Sequence, residues 1–176
     1  GNRKDVFAGV TVSCLDVAVP MVIVNAAELG QQGDESVDAL NQDHALKARL
    51  REIWVEAGLK MGLKKRNGEL MTRTELENSE TVPKICMVSS PKAAGHITVR
   101  YFTPQSAHNS LAVTGGCCLA TACLLPGTVA HEVAVNLAEF SNEEREIVVD
   151  MENPAGILRA RVRGALSDEG ASIPWA

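Results

Sequence analysis

Apolar positions along this chain change period several times, and each change marks an element. From Val10 to Leu15 apolar and polar residues alternate and β-branched side chains dominate, as in a strand. Pro20 is expected to break that strand, and the run Met21 to Asn25 then predicts a second, fully buried one. Gly30 to Glu35 is a polar turn. Over residues 36–63 the period lengthens. Leu46, Leu50, Ile53, Trp54, Ala57 and Met61 fall at three- and four-residue steps, while Lys47, Arg49, Arg51, Glu52, Glu56 and Lys60 fill the opposite face. This predicts one amphipathic helix, with Asn41 or Asp43 as its cap and Trp54 and Met61 as core residues. Residues 64–81 are a charged connector. Strands are predicted again at 84–88, 97–102 and 132–137, and a hairpin pairs 146–150 with 157–162 around the turn sequence ENPAG. Strands and helices in this order predict an α+β domain with mixed strand pairing.

One segment breaks the pattern of half-apolar elements. "AVTGGCCLATACLL", residues 112–125, carries no charge on any side. Cys117 to Leu125 has the length of a short helix or a buried strand. Its Ala and Leu content, with Thr-Gly-Gly before it and Pro126-Gly127 after it, favours a helix. A helix apolar all round must be surrounded by protein, so the flanking strands are expected to form a mixed sheet or barrel wrapped around it. The first amides of a helix lack internal partners and carry the positive end of its dipole. Glycines there let a ligand approach the backbone, which suits a carboxylate or phosphate, and a thiol at such an end has a lowered pKa. The same residues also fit a tight strand-to-helix turn with inert cysteines, and the pattern alone leaves both readings open.

Composition narrows the field. The chain has 176 residues and suits one domain, 1–176; 45% are apolar and 22% charged, which is a globular balance. The net charge of −5 and a single basic cluster, Lys64-Lys65-Arg66, argue against a nucleic-acid partner. The first apolar run, Val17 to Ala27, is too short to span a bilayer, so no membrane partner is expected. Five cysteines, an odd number without zinc-knuckle spacing, predict reduced thiols, a cytoplasmic location and no metal. Gly1-Asn2-Arg3-Lys4-Asp5 reads as loop and "SIPWA" as interrupted, so a fragment of a longer protein is expected.

At residues 114–119 the sequence becomes familiar. Thr114-Gly115-Gly116-Cys117-Cys118-Leu119 resembles the Gly-Ser-Gly-Thr-Cys-Ala motif in the second half of the diaminopimelate epimerase fold. Around it stand Ser13-Cys14-Leu15-Asp16, Pro20-Met21-Val22, Ala27-Glu28-Leu29-Gly30, Met61-Gly62-Leu63 and Pro83-Lys84-Ile85. His108 through Ala112 to Thr114-Gly115, and the turn Pro154-Ala155-Gly156, complete the series. Each motif is weak, but their order and spacing resemble those of PrpF-type isomerases of aconitate and oxalomesaconate. The resemblance covers the second, C-terminal half of that family's length.

The resemblance implies a pseudo-symmetric, two-domain enzyme with its site between the halves. This chain would then supply one half, and its partners would be a small polycarboxylate substrate and the missing N-terminal half, with a homodimer allowed. The reaction implied is proton transfer that moves or resets a double bond, with no cofactor. Cys118 falls on the catalytic cysteine. The amides of Gly115, Gly116, Cys117 and Cys118, with Thr114 and Ser110 as side-chain donors, would hold a carboxylate, and His108 and Asp16 would lie near it. His108 fits a structural hydrogen-bonder as well as a base, and Asp16 fits a partner for a nearby amide. Val19 and Asn109 stand where many relatives have Asn and Lys, which leaves the substrate open. Two other readings use the same residues: a non-catalytic carboxylate-binding module, and an amino-acid epimerase or racemase on the same fold.

Overall fold

A computed structural model describes residues 2–167 and 170–176. Its centre is one curled sheet in the order β1-β2-β3-β4-β5-β7-β8-β9, with the short β6 on β5. The strands are β1 (Asp5–Phe7), β2 (Val10–Val17), β3 (Val19–Asn25), β4 (Lys84–Ser89), β5 (Ile97–Thr103), β6 (Ser106–Ala107), β7 (Arg145–Asn153), β8 (Gly156–Ser167) and β9 (Gly170–Trp175). Pairs β3/β4 and β5/β7 are parallel, and the rest are antiparallel. The mixed α+β architecture is the one expected.

The unbroken apolar run of β3 follows from burial on both faces. Met21 and Ile23 point to an inner core around helix α4 (Val113–Cys123). Val22 and Val24 point to an outer core under helix α2 (His44–Met61). β4 and β5 divide in the same way, with Cys86, Val88, Val99 and Tyr101 inward and Ile85, Met87 and Phe102 outward. A strand covered on both sides cannot show alternation. Helix α4 rests against β2, β3, β7 and β8, so the sheet curls around it. The wrapped central helix and the amphipathic outer helix are thus both present.

Four local expectations fail, each for a visible reason. Pro20 does not break the strand: it lies inside β3 opposite Asp16, and the chain reverses at Ala18, whose φ is 64°. The single helix over 36–63 is two, α1 (Val37–Gln42) and α2. Asp43 divides them: its N–H closes α1 on Ala39 O, while its carboxylate accepts from Leu46 N at 2.8 Å and starts α2. Asn41 caps nothing; its Oδ1 accepts from Ala107 N at 2.8 Å.

The connector 64–81 contains helix α3 (Arg73–Glu77), opened by a reciprocal capping box between Thr72 and Glu75. The strand expected at 132–137 is absent. Thr128 accepts from His131 N and opens helix α5 (Val129–Val133) instead.

Candidate active site

Helix α4 begins four residues before the expected start, and this rearranges the site. Gly116 N donates to Ala112 O at 2.8 Å, the first intrahelical bond. The amides of Gly116, Cys117 and Cys118 therefore lie inside the helix, and the free positions at its mouth are Val113, Thr114 and Gly115. The other four α-helices have side-chain caps, Ser36, Asp43, Thr72 and Thr128. Helix α4 alone among the described helices has a residue that cannot cap, Ala112, in cap geometry (φ −63°, ψ 144°). Its mouth is open to solvent: Val113 is 70% exposed and Thr114 is exposed. The free amides there face solvent, where water or an anion can pair with them.

The glycines serve the helix rather than a ligand. A Cβ on Gly115 would stand 2.6 Å from Tyr101 Cε2, and one on Gly116 would stand 2.4 Å from Leu158 Cδ2. Their absence lets α4 press against β5 and β8 inside the curled sheet. Tyr101 is the floor below the mouth, buried and edge-on to His108 with ring centroids 6.2 Å apart. Burial, with Cys86 and Cys118 nearby, raises its hydroxyl to about 12, so it stays protonated. Sequence reasoning missed Tyr101, and no pattern marked it, because it occupies an ordinary inward position of β5.

Ser110 and His108 form one local turn at the rim. His108 Nδ1 accepts from Ser110 N at 3.1 Å and lies 3.1 Å from Ser110 Oγ. His108 N donates to Tyr101 O at 2.8 Å, which extends the pairing of β6. The imidazole is exposed, and its Nδ1 is occupied by this turn.

Cys118 lies one turn inside the helix, fully buried, with its thiol donating to Leu15 O at 3.9 Å. Burial pushes its pKa up to about 12, reinforced by Asp16 and Cys117 and opposed by a hydrogen bond with the Val17 backbone. This is the reverse of the lowered pKa expected for a thiol at a helix start, because Cys118 is beyond the free amides. Cys117 is the partly exposed member of the pair. Asp16 is exposed beside the Ala18 turn of the β2/β3 hairpin, which lies over Cys118. The structure thus gathers His108, Ser110, Thr114, Gly115, Cys118 and the Asp16 hairpin at one end of the barrel, with Gly116 and Cys117 in the next turn of the helix.

Among the described residues, no group of three or more His, Cys, Asp or Glu side chains could hold a metal ion. No described helix is long and apolar enough to cross a membrane.

An open helix mouth at one end of a sheet-wrapped core defines the class: an α+β domain whose central helix lies inside a curled mixed sheet. Comparison with known proteins sharpens this. The profile of the PrpF protein family matches residues 1–172, and the chain belongs to that family. It is 35% identical over 169 residues to "Putative isomerase YbhH" of Escherichia coli (strain K12), covering 96% of this chain and 42% of that protein. It is 36% identical over 156 residues to "4-oxalomesaconate tautomerase" of Pseudomonas putida, covering 89% of this chain and 39% of that protein. The crystal structure of methylitaconate-delta-isomerase superposes with a TM-score of 0.78 at 25% identity, over 98% of this chain and 46% of that one. The chain therefore spans about two fifths of the length of the curated relatives it matches.

Proposed function

We propose that this chain forms one wall of the active site of an isomerase acting on small unsaturated di- or tricarboxylates, of the methylaconitate or oxalomesaconate type. The reaction is proton abstraction beside a carboxylate and reprotonation at another carbon, without a cofactor. The observation that carries the reading is the uncapped mouth of α4: the amides of Val113, Thr114 and Gly115 have no partner within the helix, and a carboxylate can pair with them, with the Thr114 hydroxyl as a further donor. There they hold the substrate and stabilise enolate charge as it develops. Ser110 and His108 bound the same mouth and orient a second carboxylate. Cys118, kept protonated by burial, can donate a proton but is poorly suited to remove one. The base then comes from elsewhere, in this reading from the N-terminal half of a longer two-domain protein. That protein belongs in the cytoplasm, consistent with five cysteines all present as free thiols.

The test is an isomerase assay of the full-length protein on methylaconitate, oxalomesaconate and methylitaconate. Thr114→Val should raise KM about tenfold or more, the loss of one hydrogen bond to a charged group. Cys118→Ser should lower kcat if the thiol donates the proton, and unchanged turnover removes Cys118 from the catalytic set. No turnover of any of the three acids overturns the isomerase reading. Burial of Cys118 favours a second reading for this chain alone, carboxylate binding without turnover, in which Thr114→Val weakens binding and Cys118→Ser does not.

A further inference from the structure

At the end of the barrel opposite the α4 mouth, the parallel strands β3 and β4 finish side by side, with Asn25 in register with Val88. The loops that leave them diverge. Between them lies a crevice of about 480 Å³, lined by Asn25, Gln31, Gln32, Ser89, Ser90 and Lys92 among others. This volume is in the usual range for a site that holds a small ligand. The two ends are distinct. Tyr101, under the mouth, pairs with Cys86, whereas the crevice begins at Ser89, three residues further along β4, about 10 Å away.

Both walls are held in place by carboxylates that do not line the crevice. On one wall, Glu35 accepts from Gln32 N at 2.5 Å and Gly33 N at 3.0 Å, and Arg100 Nε donates to Glu35 O at 2.6 Å. On the other, Glu152 accepts from the amides of Lys92, Ala93 and Gly95 at 2.7, 2.9 and 2.8 Å, and from Thr98 Oγ1 at 2.5 Å. Gly33 fits against Ser89 so closely that a Cβ would come within 2.4 Å of its hydroxyl oxygen. The groups that line the space are neutral amides and hydroxyls with one cation; the Ser89 hydroxyl donates to Ser90 O at 3.3 Å and so faces a ligand as an acceptor. Asn25 Oδ1 is used by Ala27 N at 3.0 Å, which leaves its NH2 group without a partner among the described residues. Lys92 takes part in no ion pair among the described residues, and no acidic side chain lines the crevice.

We infer that this crevice is a second binding site, separate from the α4 mouth, for a small hydroxy acid: one carboxylate set against Lys92, with hydroxyls on the Asn25, Gln32, Ser89 and Ser90 side chains. A single ammonium among neutral groups matches one carboxylate and several hydroxyls better than a phosphate, which favours convergent amides or paired cations.

The test is a titration of the full chain, followed by the shifts of its assigned backbone amides, with gluconate, glycerol and inorganic phosphate as probes. Gluconate should shift Gln31–Gly33 and Ser89–Ala93 saturably. Glycerol and phosphate should bind more weakly there. Lys92→Ala should weaken gluconate about tenfold, as loss of one charged hydrogen bond does, while Lys92→Arg retains most of the affinity. Thr114→Val should leave the crevice titration unchanged, so this site and the isomerase reading fail separately. Gluconate shifts confined to Val113–Gly115, equal binding of glycerol or phosphate, or an unchanged affinity in Lys92→Ala would each overturn the inference.

Discussion

Helices α2 and α4 cover opposite faces of the same strands, yet they are stabilised in different ways. Helix α2 is complete in itself. Asp43 caps its start, and Gly62, with φ 65°, closes its end through N–H bonds to Gly58 O and Leu59 O. Only the stripe from Leu46 to Gly58 is buried. Helix α4 has no side-chain cap and hardly a polar face, and its body from Cys118 to Cys123 is fully buried. Its tertiary surroundings hold it, and its first turn is left unsatisfied. The contrast separates a helix closed by its own caps from one held by the sheet around it.

Breaking the packing of α4 should give the largest effect. Gly115→Ala places a methyl 2.6 Å from a buried Tyr101 ring, so unfolding stability should fall by about 1–3 kcal/mol although alanine is the better helix former. The same change at Gly58 of α2 meets the flexible methyl ends of Leu76 and should cost less. Denaturant midpoints of the two variants would decide, and equal losses would remove the distinction.

Exchanging the caps sharpens the comparison. Asp43→Ala should destabilise by about 1 kcal/mol. Ala112→Asp should stabilise by a similar amount, since the backbone already has cap geometry, while abolishing carboxylate binding at the mouth. Thermal unfolding with and without tricarballylate measures both, and binding that survived Ala112→Asp would contradict the mouth as an anion site.

Glu152 supplies the pH test. Burial raises its pKa, but the Thr98 hydroxyl and the amides of Lys92, Gly95 and Ala93 outweigh this, so the folded value lies below the ordinary one. Its contribution is therefore complete above the unfolded glutamate pKa of about 4.3 and is lost as pH falls through the folded value. Glu152→Gln should lose stability near neutral pH and flatten the acid limb of the stability curve. An unchanged limb would show that the carboxylate is not the anchor.

The smallest effect concerns thiols. Alkylation with iodoacetamide should modify Cys117 first, because Cys118, Cys86 and Cys123 are buried and burial raises the Cys14 thiol to about 12. Faster labelling of Cys118 would mean that α4 opens at its start.

The sequence was legible where an element had a single environment. The stripe from Leu46 to Met61 showed α2, and the chargeless run from Cys117 showed a wrapped helix, because in both the burial is uniform along one face or all faces. Start signals were harder to read. Thr114-Gly115-Gly116 looked like the entry to a helix whose first turn it already forms, since the true cap position holds an uninformative alanine. The strand expected at 132–137 overlaps a helix at Glu132 and Val133, because the capping hydroxyl of Thr128 starts α5 at Val129. The glycines were legible as a close approach; that the approaching groups are Tyr101 and Leu158 depends on strands far away in sequence.

The parallel pairing of β3 with β4 has a consequence for how the chain assembles. Residues 26–83, with all of α1, α2 and α3, lie between these neighbours, so their ladder closes a long loop before it gains any contact. The β2/β3 and β7/β8 hairpins close short loops and can form early. The central sheet is then completed late, when α2 docks and brings β4 to β3. Until that moment the apolar edge of β3 is uncovered, and it is the segment most exposed to pairing with another chain.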